Sequence, residues 1–187
     1  MLAAGGSRRL GRPKQLLDWS GRPLLEWVVA AVHTWPVSPV VVVLGAHAED
    51  ILDRADLGGA LVVVNPEWEE GIASSLRVGF DLLARERAAD WAFVALGDQP
   101  LIPPDVPPAL LAAAGESGRV AIVPVYRYQR GNPVLVGRPL WPRMMSLQGD
   151  AGAAGLLQAH PGWVLEVRFD HTAPADVDSP ADIEDLP

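Results

Sequence analysis

The sequence predicts an α/β protein, a three-layer sandwich with a mostly parallel sheet built as one domain over residues 1–187. Three observations predict it. Val40 to Leu44 is an all-apolar, β-branched run, the pattern of a strand covered on both faces. Ile72, Leu76, Phe80 and Leu83 recur at helical spacing, which puts them on one face of an amphipathic helix. Strand-like and helix-like segments alternate along the chain, and strands that alternate with helices pair in parallel through helical crossovers.

In chain order, Met1 to Ala4 precede a glycine-rich loop, fewer than the ~5 residues of an ordinary strand. The reading expects an unusually short first strand or a start codon assigned too late. Gly21 marks a turn. Pro23 to His33 then reads as a helix, with its proline early and Leu24, Leu25, Val28 and Val32 near one face. The strand at Val40 to Leu44 is followed by a short helical piece, Glu49 to Arg54. Leu61 to Val64 is expected to be a second buried strand. The helix of Ile72 to Leu83 leads to a strand at Trp91 to Leu96, and Pro107 to Ala114 is expected to be helical. Val120 to Val125 and Pro133 to Val136 read as strands, Met144 to Leu147 as helix or turn, and Gly152 to Ala159 as helix. Trp163 to Phe169 alternates apolar and polar residues, as a half-exposed strand does. The prolines sit at segment edges. No internal repeat or low-complexity linker interrupts this Rossmann-like order.

Composition narrows the function. At 187 residues the chain can bury a sizeable core, and 49% hydrophobic with 20% charged residues fits an ordinary globule. A net charge of −8 argues against general nucleic-acid binding, which needs a basic face. A phosphate ligand must then be met by local positive charge or a metal. The lack of cysteine excludes disulfides and thiolate metal sites. The apolar stretch from Val28 to Ala46 is broken by His33, Thr34, Pro36 and Pro39, so no membrane span is expected. No signal peptide is visible, and a cytoplasmic location is expected. His33, His47, His160 and His171 lack metal-ligand spacing, and there is no Gly-x-Ser-x-Gly elbow. Trp19, Trp27, Trp35, Trp91, Trp141 and Trp163 are read as packing residues.

The segment Gly5 to Lys14 holds three glycines, one serine and four cationic side chains, Arg8, Arg9, Arg12 and Lys14. Glycines let the backbone approach a ligand and aim several N–H groups at one spot. After a buried strand, such a loop suits a polyphosphate. A basic tail without a ligand is the alternative. A P-loop is excluded because Arg12 and Pro13, not Lys and Ser or Thr, follow Gly11. The dinucleotide fingerprint is absent. What remains is G-x-S-x-R-x-G-x-x-K, read as Gly5, Ser7, Arg9, Gly11 and Lys14.

Three further motifs fall where ligands of such sheets bind, beyond the carboxyl ends of strands. In Gly97-Asp98-Gln99-Pro100 the aspartate can hold Mg²⁺, or else cap a turn. Asn65-Pro66-Glu67-Trp68-Glu69-Glu70-Gly71 is followed by Ser74 and Ser75 at a helix start, where hydroxyls can grip a ligand or cap the helix. In Asp176-Val177-Asp178-Ser179-Pro180-Ala181-Asp182, Ser179 and Asp182 suit a helix cap, with Asp178 just outside it.

Together with Leu2, Ala3 and Ala4, these motifs resemble, in order, the MobA-like NTP transferases. Ala4 and Gln99 resemble the cytidylyltransferase branch that acts on the molybdenum cofactor. The blocks Arg130 to Leu135 and Leu147 to Ala153 resemble the part that lines the acceptor. Leu10, Asn132, Ala154, Ser179 and Ala181 replace the family's usual Met, His, Arg, Thr and Glu. The resemblance implies the nucleotidyltransferase fold and a nucleotide held by Leu2, Ala3, Ala4, Gly5, Gly6, Ser7, Lys14, Gly97 and Ser74 or Ser75. It implies Arg9, Lys14 and Asp98 as catalytic residues, and Mg²⁺ on Asp98 and on Asp178 or Asp176. Gln99, Asn132 and Asp150 would face the acceptor. The implied reaction joins CMP from CTP to the phosphate of molybdopterin and releases pyrophosphate, serving a molybdenum hydroxylase or its chaperone. Transfer to another small phosphate ester, or nucleotide binding without turnover, are the alternatives.

Overall fold

The computed structural model describes residues 1–7, 10–85, 89–184 and 186. Strand β1 is only Leu2–Ala3, and a small ribbon of β2 (Asp18–Trp19) and β3 (Arg22–Pro23) precedes helix α1 (Leu24–His33). Then come β4 (Val41–Leu44), α2 (Ala48–Arg54), β5 (Leu61–Val64) and α3 (Ile72–Arg85). The second half contains β6 (Trp91–Val94), α4 (Val106–Ser117), β7 (Ala121–Tyr126), β8 (Gln129–Arg130) and β9 (Val134–Gly137). It ends with α5 (Trp141–Met145), α6 (Ala153–Ala159), β10 (Val164–Phe169) and α7 (Pro180–Glu184).

Strands β1, β4 and β5 pair in parallel, in the order β1-β4-β5. The other main set runs β10-β7-β9-β6, with β9 antiparallel to both neighbours. Leu2 joins the two sets. Its N–H donates to Ala95 O at 2.8 Å, and its carbonyl accepts from Gly97 N–H at 2.8 Å. The sheet therefore reads β5-β4-β1-β6-β9-β7-β10. From β1 the chain works outward through β4 and β5, then crosses back to β6 on the other side. The order reverses between β1 and β6, and a crevice opens beyond the carboxyl ends of strands at such a point.

The pleat sends successive residues to opposite faces. Ala92, Val94, Val134 and Val136 meet Leu76 and Phe80 of α3, Trp141 and Met144 of α5, and Leu157 of α6. Ala3, Val42 and Leu44 meet Leu25 and Val29 of α1 and Ile51 of α2. Ile122 and Leu135 meet Val106 and Leu110 of α4. Helices thus cover both faces, giving the expected three layers.

One expectation is overturned. Leu61 to Val64 is a strand but not a buried one: Leu61 is 43%, Val62 36% and Val64 46% exposed. An apolar run does not reveal whether a second neighbour lies beside it. Among the described residues β5 pairs with β4 alone and forms the edge of the sheet. The ribbon of β2 and β3 was not expected. The helix near Met144 begins earlier, at Trp141, and leaves Leu147 outside. Among the described residues, no helix is long and apolar enough to cross a membrane.

Candidate active site

The crevice between β1 and β6 is a cavity of about 450 Å³. Leu2 to Gly6 line one wall, Leu96 to Asp98 another, and Trp68, Gly71, Ile72 and Ser75 at the start of α3 a third, with Lys14, Gln15, Glu69 and Asp150 completing it. Two loops that follow neighbouring parallel strands, together with a helix N-terminus, therefore face one space.

The glycine loop is held from behind by Gln15. This residue is 2% exposed, and its Nε2 donates to Ala3 O at 2.7 Å and Gly5 O at 3.2 Å. The loop then folds back on itself, with Ser7 Oγ accepting the N–H of Lys14 at 3.0 Å. Close packing fixes the glycine at position 6, because a Cβ there would lie 2.7 Å from the Trp68 ring. Gly71 must be glycine for two reasons. Its φ of 106° is disfavoured for other residues, and a Cβ would meet Asp150 Oδ1 and Gly149 O at 2.5 Å.

Lys14 is the electrostatic centre. Its Nζ donates to Asp98 Oδ2 at 2.5 Å and to Asp178 Oδ1 at 2.9 Å. The Lys14 and Asp98 side chains are each 18% exposed, and that of Asp178 is 63% exposed. Burial works to lower the lysine's pKa, but hydrogen bonds and charge from Asp98 and Asp178 outweigh it, so the pKa is raised and the ammonium is retained. Burial pushes the Asp98 carboxyl above the usual carboxylate range. Lys14 pulls it back through a hydrogen bond and charge, while the charge of Asp176 adds to the rise.

Asp98 Oδ1 is buried with no hydrogen-bond partner among the described residues. An unpaired carboxylate oxygen, beside a second carboxylate already sharing one cation, fits a hard divalent ion. No group of three or more His, Asp or Glu that could hold a metal occurs among the described residues. The donor set therefore suits an ion that shares its coordination with a ligand's phosphates, not a closed protein cage.

Of the residues expected from sequence, Leu2, Ala3, Ala4, Gly5, Gly6, Lys14, Ser75, Gly97, Asp98 and Asp150 line this one cavity. Ser7 and Asp178 join it through Lys14. Ser74 lies behind the wall. It is 1% exposed, donates to Gly71 O at 2.8 Å and accepts from Asn65 Nδ2 at 2.8 Å. Gln99 is turned to Asp176, with Nε2 2.7 Å from Oδ1, and Asn132 gives its carbonyl to Tyr126 Oη at 2.6 Å; neither is a lining residue. Arg9 lies outside the described residues. Sequence reasoning missed Gln15, whose signal was a polar side chain set against Leu16 and Leu17. It also missed Asn65 as a hub, which bonds both Ser74 and Ser75 while its Oδ1 accepts Glu67 N–H at 3.0 Å.

The MobA-like NTP transferase domain matches residues 1–163. Nicotine blue oxidoreductase of Paenarthrobacter nicotinovorans is 34% identical over 189 aligned positions, covering 96% of this chain and 90% of that one. A homologue of Mycobacterium tuberculosis Rv0371c from Mycobacterium sp. strain JC1 superposes with a TM-score of 0.86 at 33% identity, covering 99% and 91% of the two chains. Rv0371c of Mycobacterium tuberculosis H37Rv, solved in complex with manganese, superposes with a TM-score of 0.83 at 28% identity, covering 99% and 94%.

Proposed function

Because the chain belongs to the MobA-like NTP transferase family, we propose that it moves CMP from CTP onto the phosphate of molybdopterin and releases pyrophosphate. The observation that carries this reading is the meeting of Lys14, Asp98 and Asp178 beside the glycine loop. The product would go to a molybdenum hydroxylase or its chaperone, in the cytoplasm.

The chain's own residues position and neutralise, which is most of what transfer at phosphorus requires. Backbone N–H groups of Ala4 to Gly6 face the triphosphate. Lys14 leaves its carboxylates and follows the β- and γ-phosphates, offsetting charge as pyrophosphate departs. Arg9 joins it in the same role. Asp98 and Asp178 would hold Mg²⁺. When bound, the ion polarises the α-phosphate and adds positive charge at the reacting centre. Ser75 and the loop backbone meet the nucleoside, and Asp150 faces the acceptor. A phosphate nucleophile is ionised near neutral pH, so no general base is needed.

The test is pyrophosphate release from each of the four NTPs with molybdenum–molybdopterin as acceptor. Release with CTP well above GTP, ATP and UTP is expected. Release from CTP with other phosphate esters but not with molybdopterin would change the acceptor.

A second reading rests on the 34% identity to nicotine blue oxidoreductase. The same cavity would then serve an oxidation–reduction and not a transfer at phosphorus. A redox change of nicotine blue with an electron donor or acceptor supplied, and no pyrophosphate from any NTP, would favour it.

A further inference from the structure

Asp178 cannot be placed by packing of its own side chain, which is 63% exposed. Its backbone is placed instead, and from both directions. On the C-terminal side, Asp182 Oδ2 accepts the N–H groups of Asp178 at 2.8 Å and Ser179 at 2.7 Å. On the N-terminal side, the Val177 N–H donates to Asp98 O at 2.9 Å. The Val177 side chain is 0% exposed and packs in a cluster with Leu17 and Leu24. Asp176 Oδ1 accepts from Gln99 Nε2 at 2.7 Å. The chain end thus lies as a strap across the turn that carries Asp98.

We propose that Gln99 clasps this strap through Asp176 and so positions Asp178 at the Lys14–Asp98 pair. Gln99 is 7% exposed and its Nε2 is committed to Asp176, so the clasp acts through that residue. The amide's orientation is fixed, since a carboxylate only accepts and the nitrogen must face it. The clasp joins the residue next to one candidate metal carboxylate to the residue two before the other. A bond that orients ligands from outside is worth a factor of 10–100 in metal affinity, roughly. The metal half of this inference rests on the function proposed above; the strap half does not.

Two readouts on the full chain separate the halves: hydrogen exchange at the Val177 amide, and Mn²⁺ affinity by electron paramagnetic resonance with CTP present. Gln99→Leu removes the donor at similar size. It is expected to raise Val177 exchange about tenfold and to weaken Mn²⁺ binding by roughly 10–100-fold. Gln99→Glu sets two carboxylates against each other and opens the strap. Gln99→Glu combined with Asp176→Asn reverses the donor and acceptor at unchanged total charge, and is expected to restore both readouts. Unchanged Val177 exchange in Gln99→Leu would overturn the clasp. So would a double variant as open as Gln99→Glu alone. Exchange that responds and is rescued while Mn²⁺ affinity stays constant would keep the clasp and overturn Asp178 as a metal ligand.

Discussion

Lys14 Nζ stands between Asp98 Oδ2 and Asp178 Oδ1, 2.5 Å from one and 2.9 Å from the other. One ammonium therefore fills the gap that a divalent ion would use. Mg²⁺ sits roughly 2.0–2.1 Å from its oxygens, too close for the ammonium to remain. The lysine must find other anions before the ion can enter, and a triphosphate supplies them. Metal and nucleotide should therefore help each other bind, by equal factors in each direction. Lys14→Met is expected to tighten Mn²⁺ binding about tenfold without nucleotide, and to abolish most of the coupling to CTP. Paramagnetic resonance titrations with and without CTP check both. Equal Mn²⁺ affinity in the two proteins without CTP would rule the competition out.

Asp98→Asn keeps the shape and removes the charge. Turnover is expected to fall ~10²-fold or more, the scale of losing one electrostatic stabiliser. Steady-state pyrophosphate release measures it, and near-normal turnover would remove Asp98 from the chemistry.

Gly71→Ala meets two penalties together, a φ of 106° and contacts of 2.5 Å with Gly149 and Asp150. A loss of at least about 2 kcal/mol in urea unfolding is expected. The displaced Asp150 loop should also weaken the acceptor side, read as a higher KM for acceptor than for CTP.

Much of this was legible locally. The apolar run Val41–Leu44 and the spacing of Leu76 and Phe80 depend on near neighbours, and they specified β4 and α3. The glycine loop announced itself by composition. Ser179 and Asp182 announced a cap, and Asp182 N–H does approach Ser179 Oγ, at 3.4 Å. The misses depend on distant partners. Nothing within Leu61–Val64 says that β5 ends the sheet. Nothing near Gln99 says that its amide meets Asp176, because that partner lies 77 residues away.

Asn65 is 1% exposed and bonds three neighbours: Ser74 Oγ, Ser75 Oγ and Glu67 N–H. Truncation leaves the Ser74 and Ser75 hydroxyls and the Glu67 N–H each short of one partner. Asn65→Ala is expected to cost about 1–3 kcal/mol in denaturant unfolding. Because Ser75 lines the cavity and Ser74 does not, the same change should raise KM for CTP even where the protein remains folded. An unchanged KM would confine the network to holding the start of α3.

Asp105, the residue before α4, accepts from His171 at 2.9 Å, and that hydrogen bond holds its carboxyl below the usual range. A carboxyl lowered in the folded state stabilises above its unfolded pKa, near 3.8, and loses that contribution as pH falls through the folded value. Both side chains are largely exposed, so the effect is small. His171→Ala removes the hydrogen bond that lowers the Asp105 carboxyl, so at pH 5 the variant is expected to melt slightly lower. The two melting curves should converge below the folded pKa of Asp105. Melting temperatures of the two proteins from pH 9 to pH 3 measure this, and a constant difference across the range would show that His171 contributes packing against Phe169, not charge.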